Sequence, residues 1–428
     1  MNSLIRTIYL VSLVAIFGSH LAYAANDPEN EDEAGRPELI ELQRALKEHY
    51  VFPDQVAGIM NHLQEAEESK RYRDISDAEF ARLLTDDLIA ATEDLHFVVG
   101  VVEQGPTPDA EFNELRDPKA NYGFDTVQLL AGNIGYLRFD NFSEPDAAFA
   151  TAKSALKLLE NVDGLIIDLR YNNGGYNDLG QFIASHLFSN ERDQLLSSYY
   201  YNENGTRIER GQWVLSGVPG RRRPDMPVHV LTSSVTFSAA EWMAFSLQQT
   251  GRATIVGAQT SGGGHPVERF DLGERFFVQI PIGEIRGPNG GEFEGVGVAP
   301  DIAVPSYRAL AVSHMRLIED LNTRAPSAAR EWALLEARAA VDGVDVSADW
   351  LEKASGRYSG RELIHTDEGL SYRWRDRFTL RLTPLSDRVF KVEGTDDYRI
   401  ELLGEGDDID RMARVFQDGT TQVYERTP

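Results

Sequence analysis

The chain has 428 residues, with 42 Lys and Arg against 68 Asp and Glu, a formal charge of −26. That balance argues against nucleic acid or an anionic membrane surface as the partner. The absence of cysteine excludes disulfides, thiolate metal sites, Cys-linked lipid and Cys nucleophiles. A 42% apolar composition at this length implies two or three folded domains with ample core.

Residues 1–24 read as a secretory signal peptide. Arg6 precedes the apolar run from Ile8 to Phe17, and Ala22-Tyr23-Ala24 is a small-residue cleavage site. The apolar run is short for a membrane span, and no later stretch reaches about 18 apolar residues, so the processed chain is expected to be soluble and periplasmic or secreted. Residues 25–37 form an acidic, Pro-containing leader. A helical domain is expected over 38–115. Leu39, Leu42 and Leu46 recur at helical spacing, Val51-Phe52-Pro53 interrupts, and Ser76-Asp77-Ala78-Glu79 forms a capping box before Phe80, Leu83, Leu84 and Leu88.

An α/β core is expected over 116–325. Ile134–Phe139, Leu165–Leu169, Val228–Leu231 and Ala253–Val256 read as strands. Helical segments at 146–160, about 178–188 and up to Gln249 alternate with them, the pattern of a largely parallel sheet with helices on its faces. Residues 268–284 read as an antiparallel hairpin. A helical linker over 326–355 leads to an all-β domain over 356–428, in which five or six short strands suggest a small barrel or sandwich.

The strongest local chemistry lies at Thr232–Glu241 (TSSVTFSAAE), where a buried strand meets a helix start. A serine there sits beside free backbone N–H groups and the positive end of the helix dipole, which suits attack on a carbonyl. Ser238-x-x-Glu241 also fits a plain helix cap. Gly174-Gly175 follows a buried strand and can turn backbone N–H groups toward a ligand, or can be an ordinary tight turn. A nucleophilic serine needs a base, and His96 and His265 are the histidines with loop chemistry around them; spacing does not choose between them. Glu294, in a glycine-rich apolar loop, is a candidate third partner. Asp168 beside Arg170 reads as a structural ion pair, and Arg221-Arg222-Arg223 as a solvated loop rather than a contact for acidic substrate.

Together these segments resemble the tail-specific (C-terminal processing) serine peptidases, in the branch of the tricorn core and the interphotoreceptor retinoid-binding protein. The resemblance rests on Tyr50-Val51-Phe52-Pro53, Asp94-Leu95-His96, Asn133–Leu137, Asp168–Gly175, Thr236–Glu241, Gly257–His265 and Glu294–Asp301, over about residues 38–305. It implies a crotonase-like α/β core with an N-terminal helical domain, and a peptide or protein substrate. It also implies roles: Ser238 as nucleophile, His96 as base, Glu294 as its partner, and Ala239 with Gly174 and Gly175 as the oxyanion hole. His265 remains a rival base or a substrate contact. Many members carry a lysine base where this chain has Gly263, so that mechanism is unavailable here. Leu95 stands where tricorn-type cores carry an assisting serine, and the stretch between Val101 and Asn133 is too short for a peptide-binding PDZ domain. The chemistry calls for no metal or organic cofactor. Two other functions fit the same scaffold: a non-catalytic binder of apolar ligands or peptides, and a serine esterase or amidase.

Overall fold

Helices α1 (Pro37–His49), α2 (Val56–Glu68) and α3 (Asp77–Thr92) build the first region. Residue 53 is a proline, and the chain breaks there between α1 and α2. Ser76 caps α3, its side chain accepting the Glu79 N–H at 3.2 Å as the capping box predicts. The computed structural model describes residues 36–102, 118–144, 146–203, 206–375, 377–406 and 408–428. The expected signal peptide, nearly all of the acidic leader and the end of the helical domain lie outside those residues.

The helical region does not close its core alone. Strand β1 (Val98–Val101) follows it. Then come β2 (Phe124–Leu130), β3 (Ile134–Phe139), α4 (Asp146–Leu158), β4 (Gly164–Asp168), α5 (Asn177–Ser185), β5 (Leu195–Glu203), β6 (Thr206–Trp213), β7 (Val228–Thr232), α6 (Ala239–Gln249) and β8 (Thr254–Gly257). The hairpin β9 (Val267–Leu272) and β10 (Phe276–Pro281) returns to the N-terminal helices, where β10 pairs antiparallel with β1. Leu272, Phe276, Val278 and Ile280 share one buried cluster with Leu42, Leu46, Leu63, Phe80 and Leu84. The hairpin was expected; its place in the N-terminal core was not legible, because the pairing spans more than 150 residues of chain.

Strand β11 (Gly283–Arg286) lies in a separate sheet, while with β12 (Ile302–Ala303) the central sheet has the order β12-β8-β7-β4-β3-β2. Its pairs are parallel except β2 with β3. Strands β4 and β7 are buried along their whole length, as expected for the central strands of a sheet covered on both faces. Helices α4, α5 and α6 pack on one face. Helices α7 (Ala309–Arg324) and α8 (Ala328–Asp342) cover the other. The β5–β6 hairpin, joined by β11, escaped the sequence reading because its polar residues break the apolar alternation. Asp168 is fully buried and pairs with Arg170 at 2.6 Å while Tyr136 donates to it at 2.7 Å, the expected structural ion pair. The solvated-loop reading of Arg221–Arg223 fails for two of the three. Arg222 donates to the carbonyls of Ser185 and Leu215, and Arg223 to those of Glu160 and Val162.

A short helix, α9 (Ala348–Ala354), leads into a closed barrel of eight strands, β13–β20, between Gly356 and Thr427. Five or six of these eight strands are expected from their local pattern. The strand that closes the barrel by pairing Arg357 with Thr427 is largely polar and exposed. Among the described residues no helix is long and apolar enough to cross a membrane.

Phe276 is fully buried and meets the Phe80 ring edge-on at 5.0 Å. Phe276→Ala is expected to cost about 3–5 kcal/mol in denaturant unfolding and to speed amide exchange in α1–α3. His229 on β7 is buried against Ser313 of α7 at 2.9 Å, and burial, opposed weakly by Asp301, lowers its pKa to about 4. The unfolded chain therefore binds a proton near pH 6.5 that the folded chain refuses until about 4. The resulting stabilisation is complete above pH 6.5 and is lost as pH falls toward 4, on the order of 3 kcal/mol. His229→Asn should flatten the stability–pH curve in that window; an unchanged slope would remove His229 as its cause.

Candidate active site

The site is assembled where β4 and β7 end side by side. The turn after β7 is pinned to the turn after β4: Thr236 Oγ1 donates to the Leu169 carbonyl at 2.8 Å, and the Phe237 N–H to the Asn172 carbonyl at 3.2 Å. Ser238 follows with φ 53 and ψ −122, a conformation that side-chain-bearing residues rarely adopt, and α6 starts at the next residue. Such backbone costs on the order of 1–3 kcal/mol and persists only where its surroundings impose it. It puts Ser238 on a sharp strand-to-helix elbow, partly exposed, at the positive end of α6.

Glu241, at the third position of α6, holds this elbow. Its side chain is fully buried. One carboxylate oxygen accepts the N–H groups of Ser238 at 3.0 Å and Gly263 at 2.6 Å. The other accepts the Gly262 N–H at 2.6 Å and the Thr260 hydroxyl at 2.5 Å. The capping relation between Ser238 and Glu241 therefore exists, but it reaches beyond a local cap: it fastens the glycine-rich loop to the serine elbow. At Gly263 a Cβ would lie 2.1 Å from the Phe237 ring, so the place of a side chain there is filled by the neighbour of Ser238.

Gly174 packs directly on Ser238. A Cβ on Gly174 would approach the Ser238 Cβ to 2.7 Å, and its φ of +108 belongs to glycine. The Gly174 N–H, expected as an oxyanion donor, donates to Asn172 Oδ1 at 2.9 Å. No hydrogen bond within the described residues engages the N–H of Gly175 or of Ala239, and the Ala239 nitrogen lies 3.2 Å from the position of a Gly174 Cβ.

His96, His265 and Glu294, from three distant segments, meet around Asp94. Asp94 Oδ1 accepts the backbone N–H of His96 at 2.9 Å and its Nδ1–H at 3.1 Å. Asp94 Oδ2 accepts the Nδ1–H of His265 at 2.6 Å. Glu294 Oε2 stands farther off, 3.9 Å from His96 Nδ1 and 3.7 Å from His265 Nδ1, and takes the Gly264 N–H instead. Glu294, expected as the partner of His96, is thus a near charge, and Asp94 is the hydrogen-bonding carboxylate. The sequence motif Asp94-Leu95-His96 held a usable signal, since an aspartate commonly bonds the N–H two residues on.

The electrostatics follow this arrangement. Burial pushes the Asp94 carboxyl up, but the hydrogen bonds and charges of His265 and His96 outweigh it and hold the group well below the usual range. Burial pulls His265 down, and Asp94 and Glu294 overcome it, so its pKa is raised. Glu294 is raised, chiefly by burial, with Asp94 adding to it and the two histidines opposing. Burial first, then Asp94 and Glu294, pushes the Tyr50 phenol up. His96 is 6% exposed, its ring lies 4.9 Å from that of Phe237, and its Nε2 has no hydrogen-bond partner among the described residues. The His265 ring is 6.3 Å from that of His96 and rests edge-on against Phe52 at 5.5 Å.

The chain resembles known proteins in the same segments. A model of peptidase family S41 matches residues 133–304, and one of the N-terminal domain of peptidase S41 in eukaryotic IRBP matches 34–122. Together they span well over half of the chain. A carboxy-terminal-processing protease of Bartonella bacilliformis is 29% identical over 181 residues, 41% of this chain and 39% of that protein. A carboxyl-terminal-processing protease of Synechocystis sp. is 32% identical over 174 residues, 40% of this chain and 38% of that one. The chain thus spans about two fifths of the length of these curated relatives. A solved structure of a lipoprotein from Streptococcus agalactiae shares the fold, with a TM-score of 0.50 at 18% identity over 66% of this chain and 96% of that one.

Glu241→Gln turns two buried backbone N–H groups, or one and a hydroxyl, toward an NH2. The expected cost is about 3 kcal/mol in urea unfolding. A stability change below about 0.5 kcal/mol would mean that the loop is held by other contacts.

Proposed function

The chain belongs to the peptidase S41 family, and from that premise we propose that it is an exported serine peptidase with a crotonase-like core, acting through Ser238. The observation that carries the reading is His96. Its Nδ1 is held by Asp94, so the neutral ring keeps its lone pair on Nε2, and that buried nitrogen has no partner within the described residues. A base needs such an atom, fixed in tautomer and left free. Contact of the His96 ring with Phe237, next in chain to Ser238, favours it over His265 as the base.

In the proposed reaction His96 Nε2 takes the Ser238 proton as Oγ attacks a peptide carbonyl. Asp94 fixes the imidazole and stabilises the cation that forms, and Glu294 adds a second negative charge within 4 Å. The N–H groups of Gly175 and Ala239 receive the oxyanion, while Gly174 supplies the close approach of the two turns. Loss of one such donor costs about 3 kcal/mol in comparable sites. His96 then passes its proton to the leaving amine, and water attacks the acyl-enzyme. Export is inferred from Arg6, the apolar run 8–17 and the cleavage site at Ala24.

A fluorophosphonate probe tests the reading. Wild-type protein should label, Ser238→Ala should not, and His96→Ala should label at least about 10³-fold more slowly. Folded wild type that never labels would favour a binding protein on this scaffold. If His265→Ala abolished labelling while His96→Ala did not, the base assignment would move. Cleavage of a mixed peptide library would then separate a peptidase from an esterase.

A further inference from the structure

The Asp94, His96, His265 and Glu294 side chains bring one donor atom each to within 4.8 Å of one another. The four carboxylate–imidazole distances are 2.6, 3.1, 3.7 and 3.9 Å. Metal–ligand bonds of about 2.0–2.2 Å to zinc place tetrahedral donors about 3.3 Å apart, inside that range. Two imidazoles and two carboxylates are a donor set for Zn²⁺ and its neighbours in the first transition row. Their combined charge with neutral histidines is −2, which a divalent cation cancels. Outer contacts already aim the oxygens, with the His96 N–H on Asp94 and the Gly264 N–H on Glu294. Asp94, His96 and His265 are each less than 9% exposed, and Glu294, at 19%, forms the open side.

We propose that Asp94, His96, His265 and Glu294 form a binding site for one zinc-class divalent cation, and that occupancy switches the catalytic base off. The metal takes Nδ1 of both histidines, displacing their hydrogen bonds to Asp94. In a neutral imidazole the proton displaced from Nδ1 goes to Nε2. His96 Nε2 then carries a hydrogen and has no lone pair for the Ser238 proton. No proton is lost overall from a neutral ring, and no bond other than these coordinate bonds forms. The metal is an inhibitor here, so its site is compatible with metal-free catalysis. The switching half rests on the peptidase reading; the binding half does not.

Full-length, tag-free protein is freed of metal with EDTA, dialysed, and titrated with Co²⁺. The visible bands of four-coordinate cobalt should saturate at one equivalent and vanish when Zn²⁺ displaces it. His265→Ala and Glu294→Gln should each weaken binding at least about tenfold, and Ser238→Ala should bind as wild type does. Thermal melts check that each variant is folded. Absence of saturable binding, or undiminished binding by folded His265→Ala and Glu294→Gln, would overturn the site. One equivalent of Zn²⁺ should also stop fluorophosphonate labelling, with EDTA restoring it. Binding that leaves labelling untouched would overturn the switch. Wild type that fails to label even in EDTA would remove the peptidase reading and leave the cobalt titration as a separate result.

Discussion

The buried Glu241 carboxylate is the constraint on which the site depends. It lies in the first turn of α6, where the helix N-terminus favours negative charge. From there it takes N–H groups of the serine elbow and of the glycine-rich loop together. These three N–H groups and the Thr260 hydroxyl would otherwise be left unpaired or half-paired at low dielectric, so the carboxylate and the two segments need each other. The strained φ of Ser238 is held by this arrangement and by the turn beneath it, which is tied to the end of β4.

Beyond that anchor the site is built by backbone laid against backbone. The Gly262 carbonyl accepts the Gly295 N–H at 2.9 Å, and Thr260 and Val298 bond in both directions. The loop carrying His265 and the loop carrying Glu294 are therefore tied to each other by hydrogen bonds. Against them the N-terminal region presents Asp94 and His96, fixed in turn by a core that includes the β9–β10 hairpin. That hairpin begins two residues after His265. One short stretch of chain thus delivers a site residue and closes the domain that delivers the other two.

Asp94 is shared between two histidines, so the proposed base and the proposed cation site would compete for the same Nδ1 atoms. Each Nδ1 spent on Asp94 leaves Nε2 basic; each Nδ1 spent on a cation would reverse that. Glu294 is close enough to act on either state through its charge and too far to act as a hydrogen-bond partner in this one. The barrel at the C-terminus stands apart from this chemistry, with its own core around Tyr358, Tyr372, Phe390 and Met412.

Much was legible in the sequence where the signal is local. The apolar runs of β4 and β7, the Ser76 capping box, the hairpin turn and the junction at Ser238 are each set by a few neighbouring residues, and the structure has them. The sequence also singled out His96, His265 and Glu294, whose side chains lie with that of Asp94 within 4.8 Å of one another. What the sequence could not express was which groups touch. The exchange of Glu294 for Asp94 as the hydrogen-bonding carboxylate turns on less than an ångström. The carbonyl contacts of Arg223, the destination of the hairpin, and the closing strand of the barrel all arise from partners more than fifty residues away. The sequence by itself determined the elements and the reactive residue types, because those follow from periodicity, capping and side-chain chemistry. Only the tertiary structure decided their pairing, because hydrogen bonds and ion pairs depend on distances that no local pattern encodes.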